Sequence, residues 1–236
     1  RDLFNNKFFD YVIDIGYDIV ILSPAVNYDD FLNEYQSKNV DIIWFPKLAF
    51  SKFNKILLRI RSYIKNKKIS FLFKKWMLIE KILWRPDKKI SKIINDHNIS
   101  LFVLTNPMFS RELEINNTSQ SMGIKTIGVM RSWDNFWRGL DVKVDFLAVW
   151  GPVNKLEAKK LWFYDDDHIE EIGPTPMDRY FLKDTIWSKE FFLNHFNFQN
   201  GKPIITIATL GNLTDYYDET YLVDFIIDSI NAGKIS

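Results

Sequence analysis

The chain has 236 residues, 47% hydrophobic and 26% charged, with 31 Lys and Arg against 30 Asp and Glu, the composition of a folded globular protein with one large domain or one and a half. It contains no Cys, which excludes disulfides, thiolate metal sites and Cys nucleophiles and fits a reducing compartment. It has no uninterrupted run of about 20 apolar residues, the length needed to cross a bilayer, and Asp10, Asp14 and Asp18 break the first apolar patch, which does not read as a secretory leader.

Both ends read as cut. The chain starts at Arg1 inside an amphipathic helix (Leu3, Phe4, Phe8, Tyr11, Val12, Ile15) closed by Gly16, and a strand would ordinarily precede such a helix. Tyr17 to Leu22 and Val40 to Phe45 are short apolar strands stopped by Pro24 and Pro46, with a helical stretch near Asp29 to Ser37 between them. That alternation predicts parallel strands joined by crossover helices.

From Phe53 to Trp84 the pattern is helical and basic. Between Lys52 and Arg85 there are 11 Lys or Arg and a single acid, Glu80. Phe53, Ile56, Leu57, Ile60 and Ile64 form one stripe; Ile69, Leu72, Phe73, Trp76 and Leu83 form another. Two readings stand: core-packed helices with solvated basic faces, the commoner fate of apolar stripes, or a basic amphipathic surface on an anionic membrane. Nucleic acid is not expected as a partner, because the chain is near neutral and carries no recognised binding motif.

A helix from Pro86 to about Asn95 precedes a strand, Ile99 to Leu104, that ends in Thr105, Asn106 and Pro107. A helix from Ser110 to Met122 follows, with Gly123 as its cap. Next come a buried strand ending at Met130, the polar loop Arg131-Ser132-Trp133-Asp134-Asn135, and a second buried strand, Val144 to Trp150. Open parallel α/β sheets bind ligands at the carboxyl ends of their strands, so this loop is expected to line a ligand cleft shared with Thr105 and Asn106. Gly151-Pro152 opens another helix, Ile169 to Ile172 is a short edge strand, and Gly173 to Tyr180 is a stiff turn at a domain junction. Trp187 to Phe196 is helical, and Pro203 to Ala208 is a strong strand opening a second unit. Gly211 and Asn212 then lead to a helix from about Asp215 to Asn231.

Three motifs occur in order: Trp133-Asp134-Asn135 after a strand; Ala148-Val149-Trp150-Gly151 before a helix carrying Glu157-Ala158; and the run from Ile172 to Tyr180 with Asp178. Together they resemble the amino-terminal domain of GT-B glycosyltransferases, most nearly the bacterial branch that builds surface carbohydrate and capsule. Glycerophosphotransferases of teichoic acid synthesis and nucleotide-sugar 2-epimerases have similar folds. The resemblance covers about residues 1 to 182. It implies an α/β fold, a Rossmann-like parallel sheet flanked by helices, with its first strand missing from 1–182, the acceptor-side domain. Residues 183–236 would then be a linker helix and the truncated start of a donor-binding Rossmann-like domain.

The activity so implied is transfer of a sugar from a nucleotide-sugar donor to a carbohydrate or lipid-linked surface acceptor. It would take place in the bacterial cytoplasm, with peripheral attachment to the inner face of the cell membrane as the alternative, without a cofactor, and the fragment alone would be inactive. The alternatives are glycerophosphate transfer from a CDP-activated donor and a non-catalytic carbohydrate-binding or assembly module. Under the transfer reading Asp134 is the base, Trp133 stacks on a sugar, Ser132 and Asn135 bond hydroxyls, Arg131 faces a phosphate, and Asp178 joins the substrate site. Gly211 and Asn212 offer backbone N–H groups to the donor diphosphate.

Each role has an ordinary structural counterpart. Asp134 can cap the following turn, Trp133 can be core, Ser132 and Asn135 can satisfy loop backbone, and Arg131 can form a surface ion pair. The run Asp165-Asp166-Asp167 reads as a solvated loop, and His97, His168 and His195 have no metal-ligand spacing, so no metal site is expected. There is no Gly-x-Gly-x-x-Gly, Walker A or Gly-x-Ser-x-Gly pattern.

Overall fold

The short apolar runs pair as parallel strands. In the computed structural model, Ile19–Ser23 (β1) lies beside Val40–Trp44 (β2), with Ile19 opposite Val40 and Ser23 opposite Trp44. Leu101–Leu104 (β3), Lys125–Val129 (β4), Phe146–Val149 (β5) and Ile169–Glu171 (β6) form a second, wholly parallel sheet in that spatial order. The structure describes residues 8–37, 39–67, 70–107, 110–133, 136, 142–181, 186–199, 201, 204–206 and 220–234. The chain divides into two compact units, Arg1–Thr185 and Ile186–Ser236.

The first unit is a Rossmann-like α/β arrangement of parallel strands flanked by helices. The single sheet expected from the alternation is two sheets, however: among the described residues β1 and β3 share no ladder. Apolar periodicity marks a strand but does not say which neighbour lies within the roughly 4.8 Å that ladder bonds need. Side chains of Phe8–Asp14 (α1) pack on both sheets instead. Phe9 and Ile13 lie on Ile21, Val40 and Ile42, while Phe8 lies on Val129 and Ala148.

The main core fills one face of the four-stranded sheet. Strand residues alternate between faces, and Phe102, Leu104, Leu147, Val149 and Ile169 point to the side where, among the described residues, five longer helices lie. These are Lys52–Asn66 (α3), Ser70–Leu83 (α4), Lys88–Asp96 (α5), Ser110–Ser121 (α6) and Pro152–Trp162 (α7), which follow Asp29–Tyr35 (α2) in the chain. Leu57, Phe73, Met77, Ile90, Ile94, Leu113, Ala158 and Trp162 are their buried contributions. The helix ends follow local chemistry. The Ser51 hydroxyl accepts the Asn54 N–H at 3.0 Å at the start of α3. The Asp87 carboxylate accepts the N–H groups of Lys89 (2.8 Å) and Ile90 (3.1 Å), so α5 begins at Lys88 rather than at Pro86. Pro152 occupies the first turn of α7, and Gly123, at φ +81°, takes the left-handed conformation after α6.

In the second unit, Ser188 caps Lys189–His195 (α8) by accepting the Phe191 N–H at 3.1 Å. Trp187, Phe191 and His195 gather against one another with ring centroids 4.8 to 5.9 Å apart. Thr220–Asn231 (α9) is the last helix. The strand expected from Pro203 to Ala208 does not form where it is described: Ile204, Ile205 and Thr206 belong to no ladder and are exposed. A strand needs a ladder partner, and the described residues supply none.

Candidate active site at the carboxyl edge of the sheet

β3 and β4 are neighbours, so the loops at their carboxyl ends emerge side by side. This brings Thr105 and Asn106, after β3, close in the fold to Arg131, Ser132 and Trp133, after β4. Arg131 and Thr105 are exposed, Ser132 is half-buried, and Trp133 is 67% exposed. Asp178 follows β6, on an exposed helical turn over Thr175–Tyr180. Asp134, Asn135, Gly211 and Asn212 lie outside the described residues.

The backbone beneath Trp133 is held from several directions. The side-chain amide of Asn154, buried in the first turns of α7, donates to the Trp133 carbonyl at 3.0 Å and to Glu157 Oε2 at 3.0 Å. The Trp150 indole N–H donates to the Met130 carbonyl at 2.9 Å, and the Met130 N–H continues the ladder to Ala148. Beneath the loop, Gly128 lets β4 approach its neighbours closely. A Cβ there would lie 3.0 and 3.1 Å from the two Val144 methyls and 3.3 Å from the Pro107 ring, and both neighbours are buried. The Trp133 side chain is thus exposed while its backbone carbonyl is tied to α7.

The one described carboxyl with a strongly perturbed affinity at this edge is Glu112, in the first turn of α6. Both its oxygens accept the Asn106 N–H, at 3.0 Å each. Burial pushes its pKa up to about 7, against the opposing pull of that N–H. The Asn106 Oδ1 is buried with no hydrogen-bond partner among the described residues. Glu112 and Asn154 carried no sequence signal. A Glu in a helix's first turn is ordinarily explained by the dipole, and an Asn near a helix start by capping.

A cleft of about 340 Å³ opens at the opposite, amino edge and is lined in part by Lys74, Lys81, Asn117, Gln120, Lys143 and Asp145, none of them a residue of the carboxyl edge. Its polar groups are largely engaged with one another. Lys81 pairs with Asp145 at 3.0 Å, and Arg61 with buried Glu80 at 3.3 Å. Burial opposes ionisation of Asp145, but the Lys81 ammonium and Thr126 outweigh it and hold the carboxyl below its ordinary range. Lys143 donates to the carbonyls of Trp162 (3.2 Å) and Phe163 (3.0 Å), and burial together with the Lys74 charge lowers its pKa. Gln120 bonds Thr126 and the Lys143 carbonyl, while Asn116 accepts from Thr126 at 2.8 Å. A network satisfied in this way fixes helix positions more readily than it recruits a ligand.

The acidic run Asp165 to Asp167 is an exposed turn, where Asp166 pairs with Lys155 and Lys159 and Asp167 with His168. Among the described residues no cluster of three or more His, Asp or Glu is arranged to hold a metal ion. No protein-family model, curated protein or solved structure matches this chain.

Proposed function

We propose that this chain is the acceptor-side part of a glycosyltransferase that moves a sugar from a nucleotide-sugar donor to a carbohydrate acceptor at the carboxyl edge of the four-stranded sheet. What carries the reading is Trp133. It is a large exposed indole whose carbonyl is tied by Asn154, at the sheet edge where open parallel α/β sheets bind ligands. Aromatic plates suit sugar rings because the C–H face of the ring is apolar while its hydroxyls remain free for polar neighbours. Ser132, Thr105 and Asn106 are such neighbours, and Arg131 supplies positive charge for a phosphate. The resemblance of the run from Trp133 to Asp178 to GT-B enzymes gives the reaction type.

The acceptor hydroxyl needs a base. Asp134, next to Trp133 in the sequence, is the carboxylate we assign to it. Glu112, poised near pH 7 by burial, is a second carboxyl at the same edge. The test is a nucleotide-sugar screen on the full-length protein, scored by nucleotide release that depends on acceptor. Release with wild type that falls at least a hundredfold in kcat for Asp134→Asn, with KM little changed, supports both the reaction and the base. Unaltered turnover in that variant moves the role away from Asp134, and no release with any donor refutes glycosyl transfer.

A further inference from the structure

We infer that the outward face of α4, continued by the outward face of α3, lies on an anionic lipid bilayer. The inference is independent of the sugar-transfer reading. Both helices bury only one side. In α4, Phe73, Met77 and Glu80 point inward, while Phe71, Leu72, Leu78, Ile79, Ile82 and Leu83 point outward. The exposure of that outward row is large: Phe71 66%, Leu78 61% and Ile82 80%. At about 100° per residue, Phe71, Lys75, Leu78 and Ile82 fall on a single line along the helix, with Leu72, Ile79 and Leu83 beside it. In α3 the same construction sets Ile56, Ile60 and Tyr63 outward, with Leu57 and Arg61 inward.

Charge identifies what covers this face. Eight of the Lys and Arg residues between Lys52 and Arg85 are exposed: Lys52, Lys55, Arg59, Lys65, Lys67, Lys74, Lys75 and Arg85. The segment's single acid, Glu80, is buried and paired with Arg61 at 3.3 Å, so it offers the outside no negative charge. Lys75 runs along the apolar line with its ammonium 4.3 Å from the centroid of the Phe71 ring. That is the posture of a lysine whose stem lies on apolar surface while its head reaches for phosphate. A protein partner acidic enough to match this charge would still leave a wide aliphatic and aromatic row to cover. A bilayer with anionic headgroups satisfies both at once, the apolar row entering the acyl boundary and the cations staying at headgroup level. Among the described residues no helix is long and apolar enough to cross a membrane, and α4, at 14 residues, would lie in the interface plane.

The experiment is vesicle flotation of the whole chain at low and high salt, with phosphatidylcholine vesicles that contain or lack phosphatidylglycerol. Flotation is expected only with phosphatidylglycerol, and it should weaken as salt screens the lysines. Lys74→Gln with Lys75→Gln should reduce partitioning about tenfold or more, since each surface cation near an anionic leaflet contributes about one factor of several. Leu78→Asp with Ile82→Asp should abolish flotation while leaving the far-ultraviolet circular dichroism unchanged, because both side chains are already in water. Recovery of all protein in the lipid-free fraction at low salt would overturn the inference. So would flotation unaffected by Leu78→Asp with Ile82→Asp. A dimer in solution that this pair dissociates, without lipid binding, would assign the face to a second copy and overturn it too.

Discussion

The side-chain amide of Asn154 donates to the backbone carbonyl of Trp133 across 3.0 Å, joining the first turns of α7 to the loop after β4. Asn154 is buried and its amide also bonds Glu157. Asn154→Ala would remove both bonds, leave a carbonyl without its partner, and cost about 1–2 kcal/mol. It should also weaken ligand binding at Trp133, because the plate loses its anchor. Paired thermal unfolding and binding measurements check this; an unchanged affinity alongside the lost stability would show that Trp133 does not depend on the anchor.

Gly128 is where β4 comes closest to its surroundings. An alanine methyl at 3.0 to 3.3 Å from Val144 and Pro107 forces buried groups to shift. Gly128→Ala is expected to destabilise by about 1–3 kcal/mol, read as a lowered denaturant midpoint with an unchanged slope. Gly128→Ala combined with Val144→Ala should recover part of the loss, and no recovery would place the strain elsewhere.

Burial raises Glu112 from its ordinary 4.5 to about 7. Below pH 4.5 both the folded and the unfolded chain hold this proton. Between pH 4.5 and about 7 the folded chain still holds it and the unfolded chain has released it. Raising pH through that window therefore removes stability, and above about 7 the loss levels off. Glu112→Gln has no such proton to lose, so its stability relative to wild type should rise between pH 5 and pH 8 by on the order of 1–3 kcal/mol. Urea denaturation of both proteins at the two pH values gives the difference directly, and parallel behaviour of the two would contradict the perturbed carboxyl. Glu114, raised to about 7 by burial while accepting from the Trp84 indole at 3.3 Å, adds the same trend to both proteins and cancels in the comparison.

Arg61 and Glu80 face each other at 3.3 Å with both side chains buried. Arg61→Met leaves the Glu80 carboxyl buried without its cation and should cost about 3–5 kcal/mol. Replacing both by Met should be far milder than the single change, because the uncompensated charge is gone. Equal losses in the single and double variants would mean that shape, not charge, governs this contact.

The short apolar strands were legible because each is a run such as Phe102 to Leu104 or Leu147 to Val149 bounded by Gly, Pro or polar residues. Helix caps were partly legible: Gly123 and Pro152 announce themselves, whereas Asp87 displaced the start of α5 from Pro86 through two hydrogen bonds that composition does not reveal. The stripes of α3 and α4 were visible, but their inward members were not separable from their outward ones. Ile56 and Ile60 belong with the exposed side and Leu57 with the core, a division set by which neighbours happen to pack there. α6 was the least legible. Asn116, Asn117, Thr118 and Ser119 are all buried in a helix whose apolar residues are only Leu113 and Ile115, because the Lys143 carbonyl, Thr126, Glu80 and the N–H of Asp87 at the cap of α5 meet those groups in three dimensions. At the candidate site the loop after β4 was found from its residues, while Glu112 and Asn154, which are defined by what they touch, were not.

Trp133 as a sugar-stacking plate is the central proposal. The direct measurement is binding of the purified chain to an array of bacterial surface glycans, with Trp133→Ala and Trp133→Phe beside wild type. Trp133 is exposed, so Trp133→Ala should leave the unfolding midpoint within about 0.5 kcal/mol of wild type. It should lower glycan affinity at least tenfold, with Trp133→Phe retaining most of it, since stacking of this kind contributes about 1–2 kcal/mol. Glycan binding equal in wild type and Trp133→Ala, with both proteins folded, would contradict the account.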